Sequence, residues 1–173
     1  MQSQLALQRA LRCMGFALCL VAGTARGEGD AAAIPKAVVA DFSYFDTSGE
    51  ARDQTADHAA RLKAFNEKIR TDLAEAKTYN LVSLSCQGTC PPADTSLPGL
   101  VKEARRAGAD VVIFGAIHKE STLVQWAKVT VVDVRTERVI ADRLVTFRGD
   151  SGEAWSRAES FIARELVEQR KAQ

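Results

Sequence analysis

Apolar positions along this chain follow two periods, and the switches between them mark its elements. Lys36–Phe42 (KAVVADF) is a short apolar run behind Pro35, the pattern of a buried strand. Ser43–Thr55 is rich in Asp, Ser and Gly and predicts a polar loop. From Ala56 to Lys77 the apolar residues Leu62, Phe65, Ile69 and Leu73 recur at helical spacing, which puts them on one face. Arg61, Lys63, Glu67, Lys68 and Arg70 fall largely elsewhere, as a solvated face requires.

Tyr79–Leu84 reads as a second strand, and Ser96–Ala107 as a shorter helix stopped by Gly108 in a left-handed turn. Asp110–Ile117 (DVVIFGAI) is a dense apolar run, expected to be a central strand covered on both faces. Gly115 in its middle implies a bulge or a close backbone approach. Leu123–Val134 and Val139–Phe147 form a hairpin around the polar connection Arg135–Arg138. Gly152–Gln169 closes the chain as a helix. Asp150 and Glu153 have the spacing of a capping pair, and Trp155, Ala158, Ile162 and Leu166 make the buried stripe. The resulting order is β-α-β-α-β-β-β-α. It predicts a single α/β domain over residues 36–170, with a mixed sheet of about five strands and helices packed on it.

The residues ahead of that domain have a different character. Arg9 and Arg12 precede the uncharged run Cys13–Ala22, and Gly23, Thr24 and Ala25 follow it. This is the layout of a secretory signal cleaved after Ala25, and the run is far shorter than the ~20 residues of a spanning helix. Cys13 follows Arg12 and Cys19 follows Leu18, so neither has the small residue before it that a lipoprotein signal needs. Residues 26–35 are then a flexible lead-in, and the expected location is the periplasm. The formal net charge is +1, from 23 basic and 22 acidic residues mixed along the chain. No basic face points to nucleic acid or an anionic membrane surface, and no insertion into the membrane is expected after signal removal.

Two cysteines follow the signal, in Ser85-Cys86-Gln87-Gly88-Thr89-Cys90. Export makes a Cys86–Cys90 disulfide the expected state. A redox pair usually has Cys-x2-Cys spacing, and a zinc site would need two further ligands.

Several motifs together resemble an uncharacterised proteobacterial family of exported proteins, a domain of unknown function of the DUF2380 type. They are Ala37–Phe42 with Asp46-Thr47-Ser48, Ala107–Gly115, Val131–Thr136 and Gly149–Trp155. The strand order is similar to that of the amino-terminal domain of the translocation protein TolB and of curli-secretion lipoproteins. The resemblance implies an envelope binding or assembly domain, and it brings no catalytic residues.

Candidate chemistry is sparse. Asp41, Asp46, Glu50, Asp53 and Asp57 precede His58 in and around the first loop, a set that could offer oxygen ligands to Ca²⁺. Their spacing matches no compact calcium loop, and a solvated loop with local turns and helix caps is the simpler account of them. His58 opens the long helix, where water is its simplest surrounding. His118 and Glu120 lie at the carboxyl end of the central strand, where α/β sheets usually bind ligands. Asp41, Asp46, His118 and Glu120 are therefore expected to form the ligand or partner edge. Trp155 belongs to the core stripe; Trp126 is either packed beneath the last helix or an exposed anchor. The chain contains no Gly-x-Ser-x-Gly elbow and no phosphate or dinucleotide glycine motif, and no cofactor or metal is implied. The expected function is a non-enzymatic accessory domain whose partner is another envelope protein. The alternative is a periplasmic small-molecule or metal-ion binder.

Overall fold

A computed structural model describes residues 33–84 and 96–172 of the protein. The segment read as a signal peptide, and Cys86 and Cys90, lie outside the described residues. The elements run β1 (Lys36–Val39), β2 (Ser43–Asp46), α1 (Thr55–Glu75), β3 (Asn80–Leu81), α2 (Leu97–Arg106), β4 (Val111–Lys119), β5 (Val124–Asp133), β6 (Val139–Arg148) and α3 (Gly152–Lys171).

The sheet is mixed and six-stranded, in the order β3-β1-β4-β5-β6, with β2 also paired to β4. β1 and β2 run parallel to β4 and share one of its edges. β1 takes Val111–Ile113, and β2 takes Ala116–Lys119. β5 and β6 complete an antiparallel hairpin on the other edge. The predicted first strand thus stops at Val39, and after a break at Ala40–Phe42 the predicted loop begins with a sixth strand, β2.

The break has a physical cause. Its free backbone groups are bonded by α1: Asn66 Oδ1 accepts from the Phe42 amide at 2.9 Å, and Arg70 donates to the Val39 carbonyl at 3.1 Å. Phe42 then turns its ring into the helix-side core, over Gly115. A Cβ on Gly115 would collide with that ring and with the Lys128 carbonyl, so the glycine marks a close approach. Among the described residues, a register irregularity lies elsewhere, between Val131 and Val132 of β5.

Helices cover the sheet unequally. α1 and α3 pack together on one face, burying Phe65, Ile69, Leu73, Trp155, Ile162 and Leu166 against Ile113, Ile117, Val129 and Val131. Each such aliphatic side chain contributes roughly 1.5–3 kcal/mol. α2 covers the opposite face, but only around Val38, Val112 and Val132. β4 is therefore enclosed on both faces in its first half alone, where the sequence predicts cover throughout. α2 begins at Ser96, whose hydroxyl accepts from the Gly99 amide, and it is followed by Gly108 at φ +72°. α3 begins at Ser151, whose hydroxyl accepts from the Ala154 amide. Ser151 is thus the cap, not the predicted pair Asp150 and Glu153, and Asp150 has a different task.

Candidate functional site

Alternation along β4 places Ile113, Ile117 and Lys119 on the helix side and His118 on the other. The last inward position of an apolar strand is therefore a lysine, and Lys119 is fully buried. Its ammonium donates to Glu50 at 2.7 Å, to Asp150 at 2.8 Å and to Gln54 at 3.3 Å. Asp150, at the junction of β6 and α3, also accepts from His58 Nε2 and from Arg61, both at 2.8 Å. Gln125 Nε2 and Trp155 Nε1 reach its Oδ1, the oxygen that also accepts from Arg61, at 3.3 Å. Side chains from four elements, α1, β4, β5 and α3, thus converge on one carboxylate.

The electrostatics follow from that convergence. Burial alone would raise the Asp150 carboxyl, but Lys119, His58 and Arg61 outweigh it and hold the group at about 2. Burial would likewise pull Lys119 down, yet its bonds to Asp150 and Glu50 lift it above the usual lysine range. Glu50 is lowered in turn, chiefly by the bond from Lys119. Tyr44 is pushed up by burial and by the charges of Asp46 and Asp150. Burial acts against the ionised Asp46, but the hydroxyl and amide of Ser48 keep its carboxyl below the ordinary value. The cluster is a compensated ionic knot in which the Lys119 ammonium meets the carboxylates of Asp150 and Glu50.

A cavity of about 460 Å³ opens beside the knot, between Tyr44, Asp46, Glu50, Gln54, His58 and Leu62. His58 is 4% exposed and closes its floor, so the sequence placed this residue in water where the structure buries it. Its Nε2 is fixed on Asp150, and its Nδ1 stands 3.8 Å from Asp46.

On the opposite face, the same end of β4 carries a second group. Phe45, His118, Trp126 and Thr146 lie in one cross-strand row over β2, β4, β5 and β6. His118 Nε2 is 2.6 Å from the Thr47 hydroxyl, and its ring stands edge-on to Trp126 at 4.9 Å. Trp126 Nε1 donates to Glu120 at 2.9 Å. Leu144 and Lys128 lie in the adjoining row. Phe45 is 45% exposed and Leu144 65%, and no described helix covers them. Trp126 lies on the face away from α3, not beneath it.

The four residues expected to share an edge therefore separate by face. His118 and Glu120 meet around Trp126. Asp46 turns to the helix side, and Asp41 bonds Arg70 of α1. The other loop carboxylates have local partners: Asp53 accepts from the Thr55 amide, and Asp57 pairs with Arg52. Among the described residues, no group of three or more His, Cys, Asp or Glu is placed to hold a metal ion. Lys119 and Asp150 were missed by sequence reasoning. The available signal was the inward phase of β4, which carries from Ile117 to Lys119 and makes that lysine anomalous.

The chain's affiliation rests on its sequence. The family model described as a protein of unknown function, DUF3280 (DUF2380), matches residues 35–167. The chain belongs to this family. No curated protein sequence matches it significantly. The hypothetical protein CT253 from Chlamydia trachomatis shares the fold, with 12% identity and a TM-score of 0.56 over 80% of this chain and 99% of that one. TolB from Acinetobacter baumannii is also similar, at 13% identity and a TM-score of 0.48, over 78% of this chain and 28% of that one. The LpoB C-terminal domain from Salmonella enterica gives 15% identity and a TM-score of 0.46, over 65% of this chain and 82% of that one. Among the described residues, no helix of this DUF2380-type protein is long and apolar enough to cross a membrane.

Proposed function

We propose that this protein is an exported, periplasmic accessory domain without chemistry of its own, which binds another envelope protein through the uncovered half of its sheet. The observation that carries this reading is the row of Phe45, His118 and Trp126 beside exposed Leu144. Large apolar side chains gathered on one uncovered face mark an interaction surface, whereas single scattered ones do not. Trp126 is already fixed by Glu120 and His118, so docking on it loses little side-chain entropy. The ion pair of Lys128 with Asp142 at 3.4 Å supplies a polar border. The ionic knot on the other face supports this surface from beneath, since Lys119 and His118 are neighbours in β4.

A photo-reactive residue in place of exposed Thr146 tests the proposal in intact cells. It should form a reproducible adduct with one envelope protein, and Phe45→Ser with Leu144→Ser should abolish that adduct. Those two exposed replacements should each shift stability by about 0.5 kcal/mol or less. An adduct that survives them places the surface elsewhere.

Export rests on the amino-terminal pattern Arg9–Ala25 and fits a disulfide between Cys86 and Cys90. The intact mass of the protein isolated from the periplasm reads both features. A chain beginning at Arg26 with no alkylatable thiol is expected, and an intact Met1 would refute cleavage.

The cavity beside His58 supports a second reading, a small-molecule binder. Asp46 and Asp53 on its walls, with Arg52 beside them and Glu50 already paired to Lys119, favour a polar solute that carries a cationic group. Melting-temperature elevation by such a solute, lost in Asp46→Asn but not in the Phe45 and Leu144 variant, would favour it over the first.

A further inference from the structure

The two sides of the sheet end differently. On one side the outermost strands, β3 and β2, have two and four residues, whereas on the other β6 has ten. An outermost strand presents unpaired amide and carbonyl groups along its free edge, and proteins commonly blunt that edge by keeping it short, by proline or by lysine. β6 (VIADRLVTFR) has none of these defences. Its charges are Asp142, Arg143 and Arg148, and its apolar residues Val139, Ile140 and Leu144 are exposed. Among the described residues, two side chains bond the backbone of β6. Gln169 of α3 donates to the Ile140 carbonyl at 3.1 Å, and Arg143 to the Asp142 carbonyl at 3.0 Å.

Past Ala141 the alternation of β6 is regular. Asp142, Leu144 and Thr146 are register partners of Thr130, Lys128 and Trp126, and with Arg148 they belong to the uncovered face. Val145 and Phe147 pack against the helix-side core, and Arg143 shares their phase. Pairing with a second copy about a two-fold axis makes the two strands antiparallel and sets like faces together. The position of the axis then decides every pair. At Asp142 or Arg143 it would oppose like charges. At Leu144 it would set Asp142 against Thr146, and Arg148 against Ile140, whose carbonyl Gln169 already holds. At Val145 it sets Asp142 against Arg148, Leu144 against Thr146, and Arg143 against the Phe147 ring, each of them twice. Positions nearer either end shorten the ladder. Opposite charges meet, and a cation meets an aromatic ring, in that one register.

We propose that β6 pairs antiparallel with β6 of a second copy about a two-fold axis at Val145, which joins the two sheets into one. Pairing over residues 142–148 satisfies backbone groups of the free edge. Asp142 keeps Lys128 at 3.4 Å and gains Arg148 of the partner subunit, and Arg148 has no other ion pair among the described residues. The two Leu144 side chains become diagonal neighbours across the axis, which removes exposed apolar surface from water. A strand from an unrelated protein would meet the same backbone but not the repeated Asp142 and Arg148 pair. Phe45 and Trp126 of both copies stay uncovered, so the dimer carries their row twice on one continuous face.

Sedimentation velocity of the purified protein over a concentration series reads the dimer directly. The weight-average mass should rise toward that of a dimer below about 1 mM protein. Asp142→Arg and Arg148→Asp should each weaken dimerisation at least about 10-fold, because symmetry turns two attractive pairs into two repulsive ones. Asp142→Arg combined with Arg148→Asp should restore the dimer to within about 3-fold of the unaltered chain, since the opposite charges then meet again with their places exchanged. Both positions are exposed, so all three variants should melt close to the unaltered protein. A monomer throughout the series would leave the edge to a strand of another protein and would overturn the proposal. So would a dimer that neither single reversal weakens, or one that the combined variant fails to restore.

Discussion

Asp150→Ala is expected to lower the unfolding free energy by about 3–5 kcal/mol, the range for removing one partner from a buried ionic group. The replacement leaves Lys119 fully buried with Glu50 as its remaining carboxylate, and it takes the acceptor from His58, Arg61 and Trp155 Nε1 together. Lys119→Met added to it should cost much less than Lys119→Met alone, because the two groups already fail as a unit. Urea denaturation of the single and double variants measures both quantities. Additive losses would show that the knot is not coupled. The same carboxylate predicts a pH dependence. Its folded value of about 2 lies below the ordinary 3.8. A depressed acid adds stability that is complete well above its unfolded value and disappears as pH falls toward the folded one. By linkage this amounts to roughly 2 kcal/mol, lost between about pH 5 and pH 2. Asp150→Ala should flatten that acid limb.

The knot also shows where sequence reasoning stopped. Periodicity finds elements whose side chains obey one rule along their length, so α1, α3 and the β5–β6 hairpin were legible from Leu62, Phe65, Ile69 and Leu73, and from Trp155, Ala158, Ile162 and Leu166. The parallel pairing of the first strand with β4 followed from the crossovers. Failure came where tertiary partners override local pattern. Tyr44 and Phe45 alternate in and out over four residues, too short a span to separate a strand from a polar loop. Asp150 sits beside a true cap, Ser151, and has a capping residue's identity without its role. Its actual partners, Lys119, His58 and Arg61, are 31, 92 and 89 positions away, and no local spacing encodes them. The expected edge of Asp41, Asp46, His118 and Glu120 shared one end of the sheet, but adjacent strand positions point to opposite faces. Position along a strand fixes its end; the face depends on a phase that the break at Ala40–Phe42 resets.

That break underlies the second large effect, expected from Gly115→Ala. A strand interior ordinarily gains from losing glycine, by roughly 0.5–1 kcal/mol, because alanine has less backbone freedom to surrender. Here the sign should reverse. The added methyl would meet the Phe42 ring on one side and the Lys128 carbonyl on the other. The ring can move only by leaving the core cluster it shares with Phe65, whose centroid is 5.1 Å away. The carbonyl cannot move independently, because Gly115 and Val129 are register partners in the β4–β5 ladder beside it. Overpacking of this kind costs about 1–3 kcal/mol, so Gly115→Ala should destabilise by that amount and Gly115→Val by more. Adding Phe42→Leu to Gly115→Ala should recover part of the loss, since the smaller side chain vacates the ring's position. It cannot recover all of it, because the backbone clash with Lys128 persists. A urea-denaturation cycle over the two positions should therefore show a favourable coupling between Gly115→Ala and Phe42→Leu of about 0.5 kcal/mol or more. If Gly115→Ala proves neutral or stabilising, the strand break is not held by the packing of Phe42 on a bare backbone.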